Sequence, residues 1–369
     1  MTDSDGAPVR DVLIDRLREN SVPGSRIDPY KVVLAVEGGG MRGAVSSGML
    51  LALEQLGLRS SFDEVVGTSA GALAGAFFVT GDGTRGSVLY YTVLNSARFV
   101  DRRRLFRSGP VLDLDYLLDD AFAHHGFSWP ELIESDIPLW ATVTPASPTN
   151  EKRLFLVGDT PERARAVLAA SASLPVIAGA TRQIDSELYV DGGMLEAVPW
   201  VSAIKRGATH VLVARSRGFN ESGGPEGPTL FERTAVPRLV KRMHGDHVAD
   251  LVNDSPERFW FNTEALRAVI CNEARPVAES GRDPVEIDVV VPSPDTELPD
   301  RLEVDTHVLM DALTAGARAM IDYLAIEGFA VEQRVMITHP RAPIGRVRSS
   351  VLAPIVASPR GMPRHGAPT

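Results

Sequence analysis

The chain has 369 residues, 44% of them apolar and 23% charged, which is typical of a globular protein with one large domain or two ordinary ones. The formal net charge of −10 disfavours binding to nucleic acid. A single cysteine, Cys271, excludes a disulfide within the chain and a metal site built on several thiolates. Residues 1–20 carry no secretory signal, and the longest apolar stretch, residues 65–80, is too short to span a membrane, so we expect a cytoplasmic protein.

The first elements follow the alternation of an α/β protein. After residues 1–30, which we expect to form a mobile arm with a short helix, the continuous β-branched run at residues 31–36 predicts a buried strand. Helical spacing then predicts a helix over residues 42–57. A second short strand at Glu64–Val66 and an alanine-rich helix at Ala72–Val79 follow. This order predicts a layered α/β domain.

The remaining chain continues with mixed elements. We predict strands at Leu139–Thr144, Lys152–Val157, Ile184–Val190, His210–Ala214 and Glu286–Val291, and helices over much of residues 86–136, at Pro161–Ala170, within residues 229–280 and at Leu302–Leu324. We predict a loop at residues 218–228, which are rich in glycine and proline.

Four glycines follow the first predicted strand, in residues 37–43 (EGGGMRG). Consecutive glycines leave backbone N–H groups uncovered, so we expect an anion there, either a phosphate or a transient oxyanion. The spacing from Gly38 to Gly43 matches the dinucleotide fingerprint G-x-G-x-x-G. That fingerprint requires an acidic residue at the end of the second strand, whereas Asp63 precedes this strand and Ser69 follows it. A P-loop lysine is also absent, so the sequence favours the oxyanion.

Residues 67–71 (GTSAG) lie between the second predicted strand and a helix. A G-x-S-x-G motif at such a sharp turn projects the serine hydroxyl at the top of the sheet, and its glycines avoid collisions with crossing elements. Ser69 would also stand at a helix N-terminus, where the partial positive charge favours a developing alkoxide. The structural alternative is a tight turn whose serine only caps the helix.

A nucleophilic serine needs a base, and Asp191 is the better candidate. It ends a predicted strand and is followed at once by Gly192 and Gly193, which places its carboxylate where open α/β sheets keep their sites. None of the histidines follows a predicted strand with a matching acid before it, so a histidine triad is open but unsupported. The eight histidines are His124, His125, His210, His244, His247, His307, His339 and His365.

These motifs in this order resemble the patatin-like phospholipase family. That family has a G-G-G-x-R-G oxyanion loop, a G-x-S-x-G elbow and a later D-G-[AG] that supplies the acid of a Ser–Asp dyad. Residues 170–175 (ASASLP) are similar to its A-S-x-x-x-P segment. The resemblance covers about residues 31–215. It departs from the family at Glu37, where many members have aspartate, and at Ala197, where many have asparagine.

The resemblance implies a three-layer α/β domain with a largely parallel central sheet and a mostly helical C-terminal extension. It implies Ser69 as nucleophile and Asp191 as general base. The implied oxyanion hole consists of the N–H groups of Gly38, Gly39 and Gly40, and the supporting motif residues are Arg42, Gly43, Gly67, Gly71, Gly192 and Gly193. For Arg42 two roles stay open: it orients the loop or attracts an anionic headgroup, or it pairs with a carboxylate on the helix surface.

The implied activity is hydrolysis of a fatty-acyl ester of the phospholipase A, lysophospholipase or acylglycerol esterase type, through an acyl-serine intermediate and without cofactor or metal. Transfer of the acyl group to another acceptor would use the same residues. Such substrates imply contact with a membrane or micelle surface, so we expect a cytoplasmic protein that can be peripheral on the membrane. Candidate contact regions, whose alternative is core packing, are Phe77-Phe78, Leu105-Phe106 beside Arg102–Arg104, and Phe259–Phe261.

We divide the chain into four parts: an N-terminal arm (1–30), the catalytic core (31–215), its C-terminal part with a candidate lid or substrate region (216–335), and a Pro/Arg-rich tail expected to be flexible (336–369). Two other functions stay open. The chain could be a nucleotide-binding α/β protein that uses its G-x-G-x-x-G, or a catalytically silent patatin-like scaffold.

Overall fold

The computed structural model describes residues 7–107, 109–219, 238–274, 276–277 and 284–325, and within them one eight-stranded sheet. Its strands are β1 (Val32–Val36), β2 (Glu64–Thr68), β3 (Leu139–Pro145), β4 (Leu154–Leu156), β5 (Arg182–Ile184), β6 (Glu187–Asp191), β7 (His210–Ala214) and β8 (Glu286–Val290). The helices are α1 (Val9–Arg18), α2 (Gly43–Gln55), α3 (Ala70–Val79), α4 (Gly83–Thr92), α5 (Phe122–His124), α6 (Trp129–Ile133), α7 (Pro161–Ser171), α8 (Trp200–Lys205), α9 (Asp246–Ile270) and α10 (Thr306–Leu324). Residues 238–244 are also helical.

The centre of the sheet is parallel. The strand order is β5-β6-β3-β2-β1-β7-β8, and the five strands from β3 to β8 in this order run in one direction. The carboxyl ends of these strands therefore meet at one edge of the sheet. Three antiparallel strands complete the other side: β4 and β6 both pair with β3, and β5 pairs with β6.

The sequence of β1 is apolar throughout and does not alternate between apolar and polar residues. All five of its residues are buried, because helices cover both faces of the sheet. Val32, Leu34 and Val36 pack in the core that contains α2 and α10, whereas Val33 and Ala35 pack in the core that contains α8 and part of α9. The predicted three-layer α/β architecture with a mostly parallel sheet and a helical C-terminal region is therefore confirmed.

The C-terminal helix α10 belongs to the main core. Its buried face includes Leu313, Ala317 and Met320. The helix crosses α2, and the two backbones are in contact at the crossing. There, a methyl group added to Gly316 would collide with the carbonyl oxygen of Val45, and one added to Gly48 would collide with α10 in the same way. The two glycines let the backbones touch, and they fix how the C-terminal region covers the sheet.

Four local predictions differ from the structure. Residues 9–18 form α1, whose Val9 and Leu13 are buried, so this part of the segment 1–30 is docked and is not a mobile arm. The buried Arg16 holds this helix in place by donating hydrogen bonds to Asp28 and Asp63. A local sequence pattern cannot reveal these contacts.

The strand predicted at 184–190 is in fact a hairpin of β5 and β6, turned at Asp185, which has a positive φ of 54°. Between residues 86 and 136 the helices are short and separated by loops. The late helix begins at Thr306, later than predicted, because Asp305 caps it by accepting hydrogen bonds from the N–H groups of His307 and Val308. The predicted tail and most of the loop 218–228 lie outside the described residues.

The α2–α10 crossing predicts a large stability loss for Gly316→Ala. Forcing a methyl group against backbone costs about 1–3 kcal/mol or more, which exceeds the ~1 kcal/mol that alanine gains over glycine in a helix. We expect urea denaturation to show a lower free energy of unfolding by about 1–2 kcal/mol. Arg318→Ala, at an exposed position of the same helix, should change it by less than about 0.5 kcal/mol. A Gly316→Ala protein as stable as the wild type would contradict this description of the crossing.

Candidate active site

The turn between β2 and α3 holds Ser69 in an unusual conformation. Its φ is 53° and its ψ −123°, a strained combination for a residue with a side chain. The flanking glycines allow the tight turn: a methyl group at Gly67 would lie 2.5 Å from the Cα of Ala72, and one at Gly71 would lie 2.7 Å from the carbonyl oxygen of Glu37. The result is an elbow that presents a partly accessible serine at the carboxyl edge of the sheet.

The Ser69 hydroxyl donates a hydrogen bond of 2.6 Å to Oδ2 of Asp191, 122 residues later in the chain. Oδ1 of Asp191 accepts a second bond of 2.7 Å from the N–H of Gly193. Asp191 reaches this position from an antiparallel strand. Of β3, only the last three residues pair with β6, and Asp191 lies opposite Val143. The carboxylate thus arrives from beyond the sheet edge and stops beside the serine.

Asp191 is only 3% exposed, and its charge is weakly compensated. Burial raises the pKa of this carboxyl to about 6, against the smaller, lowering effects of the hydrogen bonds from Ser69 and Gly193 and of the charge of Arg301. A carboxylate with a pKa near 6 is ionised at neutral pH and is a much stronger base than an exposed aspartate.

The segment 170–175 supports both residues through its backbone and side chains. Oγ of the buried Ser171 accepts a hydrogen bond of 2.9 Å from the N–H of Ser69. The carbonyl oxygen of Ser173 accepts one of 3.0 Å from the N–H of Asp191. The segment therefore fixes the elbow and the aspartate strand relative to each other.

The glycine loop lies against the elbow. A methyl group on Gly38 would come within 3.1 Å of the Cβ of Ser69, so only glycine permits this approach. The N–H of Gly38, however, donates to the carbonyl oxygen of Ala197 at 3.0 Å. The expectation that Gly38 offers a free donor is therefore wrong in this structure, because its hydrogen is already bonded. Within the described ranges, no acceptor takes the N–H of Gly39 or of Gly40.

Glu37, immediately before this loop, is fully buried in an arginine-rich setting. Burial alone would raise its pKa, but the charges of Arg215 and Arg217 and the N–H of Ser216 hold the pKa below its ordinary value, and Arg42 adds to this effect. The Ser216 N–H donates to Glu37 at 2.7 Å, and Arg217 Nε lies 3.2 Å from it. Glu37 thus ties the start of the glycine loop to the end of β7.

An apolar cleft opens beside Ser69. Its empty space, part of which is open solvent, is about 390 Å³. Apart from Ser69 and the loop residues Gly40 and Met41, its wall consists mainly of apolar side chains. These include Leu73, Leu94, Phe99, Leu112, Leu114 and Leu117. The wall beside Ser69 is therefore mostly apolar.

Several other predicted groups lie away from this site. His210 begins β7 at the opposite edge of the sheet and bonds to Thr209 and to the carbonyl oxygen of Ala7. Among the described residues, no histidine hydrogen-bonds to Ser69 or Asp191. Asp63 also lies at the far edge, where it bonds to arginines and to the N–H of Val32, so it cannot hold a ribose beside the glycine loop.

The candidate membrane contacts differ in how exposed their side chains are. Phe77 and Phe78 are buried in the core, so the structure assigns them to packing. Trp260 and Phe261 on α9 are 38% and 56% exposed. The side chains of residues 105–107 lie outside the described part of the structure. In the part of the chain that the structure describes, no group of three His, Cys, Asp or Glu side chains is arranged to hold a metal ion.

Residues 34–204, a little under half of the chain, match the family model described as Patatin-like phospholipase, which supports the resemblance seen in the motifs. Over 202 residues the chain is 27% identical to the uncharacterized protein YjjU of Escherichia coli (strain K12), an alignment that covers 51% of this chain and 52% of that relative. The chain thus spans about half the length of this curated relative.

A solved structure, VipD from Legionella pneumophila, aligns with 80% of this chain and 67% of its own, at 14% identity and a TM-score of 0.36. A TM-score this low does not support a comparison of the two sites.

The groups that surround the motifs do not belong to any of them. Arg215 and Arg217 directly follow β7, at the same sheet edge as Ser69, and this position after a strand is a signal that the sequence carries. Arg301 precedes α10, far from every motif, and no local signal indicates that it lies at the site.

The raised pKa of Asp191 predicts how the free energy of unfolding changes with pH when the carboxyl group is replaced. Because its pKa rises from 3.8 to about 6 on folding, the folded state binds this proton more tightly. Ionisation of this carboxyl therefore lowers the free energy of unfolding above pH 6. The effect is at most about 3 kcal/mol, at about 1.4 kcal/mol per pKa unit. Below about pH 4 the effect is lost. We therefore compare the change in the free energy of unfolding that Asp191→Asn causes at two pH values. We expect this change to be more stabilising at pH 8 than at pH 4.

Urea denaturation at both pH values measures this difference. Asp311→Asn, at an exposed position of α10, serves as the matched control and should change the free energy of unfolding by less than about 0.5 kcal/mol at either pH. An Asp191→Asn effect that is the same at pH 4 and pH 8 would show that the carboxylate is not destabilised by burial.

Proposed function

We propose that this chain is a serine lipid acyl hydrolase of the phospholipase A, lysophospholipase or acylglycerol esterase type, and that Ser69 and Asp191 form its catalytic dyad. The observation that carries the proposal is the 2.6 Å hydrogen bond from the Ser69 hydroxyl to the buried Asp191 carboxylate. The patatin-like phospholipase match over residues 34–204 supports the same chemistry.

In the first step, Ser69 Oγ attacks the ester carbonyl carbon and its proton passes to Asp191. The carbonyl oxygen becomes an oxyanion, and the N–H groups of Gly39 and Gly40, which have no acceptor among the described residues, stabilise it. When the tetrahedral intermediate collapses, the C–O bond to the alcohol breaks and Asp191 returns the proton to the leaving oxygen. The acyl group is then bound to Ser69.

In the second step, a water molecule attacks the acyl-Ser69 ester and gives its proton to Asp191. Collapse of this second intermediate releases the fatty acid, and the proton returns to Ser69 Oγ. An alcohol that replaces the water would make the same site a transacylase. The pKa of about 6 suits both halves of this cycle, because Asp191 must accept and release one proton near neutral pH.

The apolar cleft supports a fatty-acyl substrate. Leucine and phenylalanine side chains surround the approach to Ser69, and burying a CH₂ group there contributes about 0.8 kcal/mol. Ester substrates of this kind reside in membranes or micelles, so we propose that the protein acts at such a surface. The exposed Trp260 and Phe261 are candidates for contact with it. No helix among the described residues is both long enough and apolar enough to cross a bilayer.

A fluorophosphonate probe tests the dyad directly, because it modifies only an activated serine. We expect labelling of the wild type, none of Ser69→Ala, and at least about 100-fold slower labelling of Asp191→Asn, since the serine then lacks its base. Rates can be followed by in-gel fluorescence. Undiminished labelling of Ser69→Ala would refute the assignment, and an unlabelled wild type would favour a catalytically silent scaffold.

Single alanine replacements at the eight histidines are the controls for this experiment. Each should keep substantial labelling and ester hydrolysis, because none of the described histidines bonds to the dyad. Complete loss at any one of them, in a protein that remains folded, would indicate a histidine base in place of Asp191.

The cleft predicts a chain-length effect for Leu117→Trp. The larger ring narrows the cleft, so we expect kcat/KM for esters of long acyl chains to fall at least about 10-fold, while acetyl esters, which need little of the cleft, change by less than about 3-fold. Leu188→Trp is the matched control, because Leu188 is 47% exposed and outside the cleft. Equal losses for both chain lengths would show that the cleft does not hold the acyl chain.

A further inference from the structure

Tyr90 places a second hydroxyl group in the wall of the apolar cleft. Among the described residues that line the cleft, only Ser69 and Tyr90 have side chains that can donate a hydrogen bond. Tyr90 belongs to α4, and its side chain is well buried, since the residue is only 6% exposed. The cleft is therefore apolar except for the nucleophile and this one phenol.

The Tyr90 hydroxyl lies at the end of the cleft where Ser69 is found. A methyl group added to Gly43 would collide with the hydroxyl oxygen of Tyr90 and would lie 2.8 Å from the Cβ of Ala70. Ala70 directly follows Ser69, and Gly43 directly follows the helical turn Gly40–Arg42 that ends the glycine loop. The hydroxyl thus lies between the elbow and the glycine loop, the two segments that surround the reacting ester in the proposed function.

No group in the described part of the protein forms a hydrogen bond with this hydroxyl. Burial alone raises the pKa of Tyr90, and no charged or hydrogen-bonding partner offsets the rise. A buried hydroxyl that stays unpaired costs about 1–3 kcal/mol, whereas phenylalanine would fill the same space with its ring at no such cost. Packing therefore explains the ring of Tyr90 but not its oxygen.

The proposed reaction brings the beginning of the acyl chain to this hydroxyl. In the acyl-enzyme the carbonyl carbon is bonded to Ser69, and the chain continues into the cleft. Because Ala70 lines the cleft next to Ser69, the first carbons of the chain lie beside Ala70 and thus beside the hydroxyl of Tyr90. An oxygen atom on one of these carbons would be a hydrogen-bonding partner for the phenol, whereas a CH₂ group would leave it unpaired.

We propose that the Tyr90 hydroxyl forms a hydrogen bond with an oxygen on one of the first carbons of the acyl chain, so that the site prefers esters of fatty acids hydroxylated near the carboxyl group over esters of plain fatty acids. The proposal rests on the hydrolase function proposed above. A site with a buried polar group discriminates against the substrate that cannot pair with it, and a phenol can both donate to and accept from an alcohol. Tyr90 is then a substrate-binding residue that sets acyl specificity.

The test compares three esters of the same alcohol, all below their micelle concentrations. Their acyl groups are octanoyl, 3-hydroxyoctanoyl and the isomer with its hydroxyl on the last carbon. Each kcat/KM is divided by the rate of alkaline hydrolysis of the same ester, which removes differences in intrinsic reactivity. We expect the wild type to prefer the 3-hydroxyoctanoyl ester over both of the others.

Tyr90→Phe removes only the oxygen and should lower this preference about 10-fold, the range for one hydrogen bond to a buried group. The loss should fall on the 3-hydroxyoctanoyl ester. The octanoyl ester should react as fast as with the wild type or faster, because no unpaired hydroxyl remains in the cleft. A purely structural role of Tyr90 would change the two rates together.

Tyr91→Phe is the matched control, because Tyr91 is the next residue of α4, is 5% exposed and does not line the cleft. It should leave the preference unchanged. If Tyr90→Phe does not fold, the two hydroxylated isomers still test the proposal with the wild type alone, since only the hydroxyl near the ester can reach Tyr90.

Equal hydrolysis of the three esters by the wild type would overturn the proposal. A preference that survives Tyr90→Phe, or a loss in this variant that is the same for all three esters, would overturn it as well and would show that the hydroxyl does not contact the acyl chain. A failure of the hydrolase function is a different result, because the wild type would then hydrolyse none of the esters and would not react with the fluorophosphonate probe.

Discussion

The candidate active site is organised around one hydrogen bond between a serine hydroxyl and a buried carboxylate. The 2.6 Å contact joins Ser69 to Asp191, which is 3% exposed. Burying an ionised carboxylate without a cation beside it is costly, and the raised pKa of Asp191 expresses that cost. The rest of the fold must hold both residues in place against it. The bonds from Ser171 and Ser173 and the turn at Gly193 serve this purpose.

The two acids of the site illustrate opposite solutions to burial. Glu37 is surrounded by arginines, so its pKa is lowered and its charge is permanent at neutral pH. Asp191 has no ion-paired arginine among the described residues, so burial raises its pKa toward neutrality. Environment rather than residue type therefore separates the two roles, a fixed anchor for the glycine loop and a group able to exchange a proton. The charge of Arg301 lowers the pKa of Asp191 and so offsets part of the rise caused by burial.

The sheet brings these groups together by combining strands of opposite direction. The parallel strands place the glycine loop, the elbow and the end of β7 at one edge. The antiparallel β6 then reaches that edge from outside by pairing with the end of β3. Helix α10 closes the arrangement, since its close crossing with α2 fixes the segment that carries Arg301 over the loop. Packing far from the dyad thus determines the groups around it.

Elements whose signals are local can be predicted from the amino-acid sequence alone. The buried strand before Glu37, the glycine elbow around Ser69 and the Asp-Gly-Gly turn at Asp191 each depend on a few adjacent residues, and the structure has all of them. Contacts between distant segments could not be predicted in this way: the N–H of Gly38 donates to the carbonyl oxygen of Ala197, and the carbonyl oxygen of Arg301 accepts from the N–H of Met41. Hydrogen bonds and charge interactions act over a few ångströms in space, between residues that no local spacing in the chain connects.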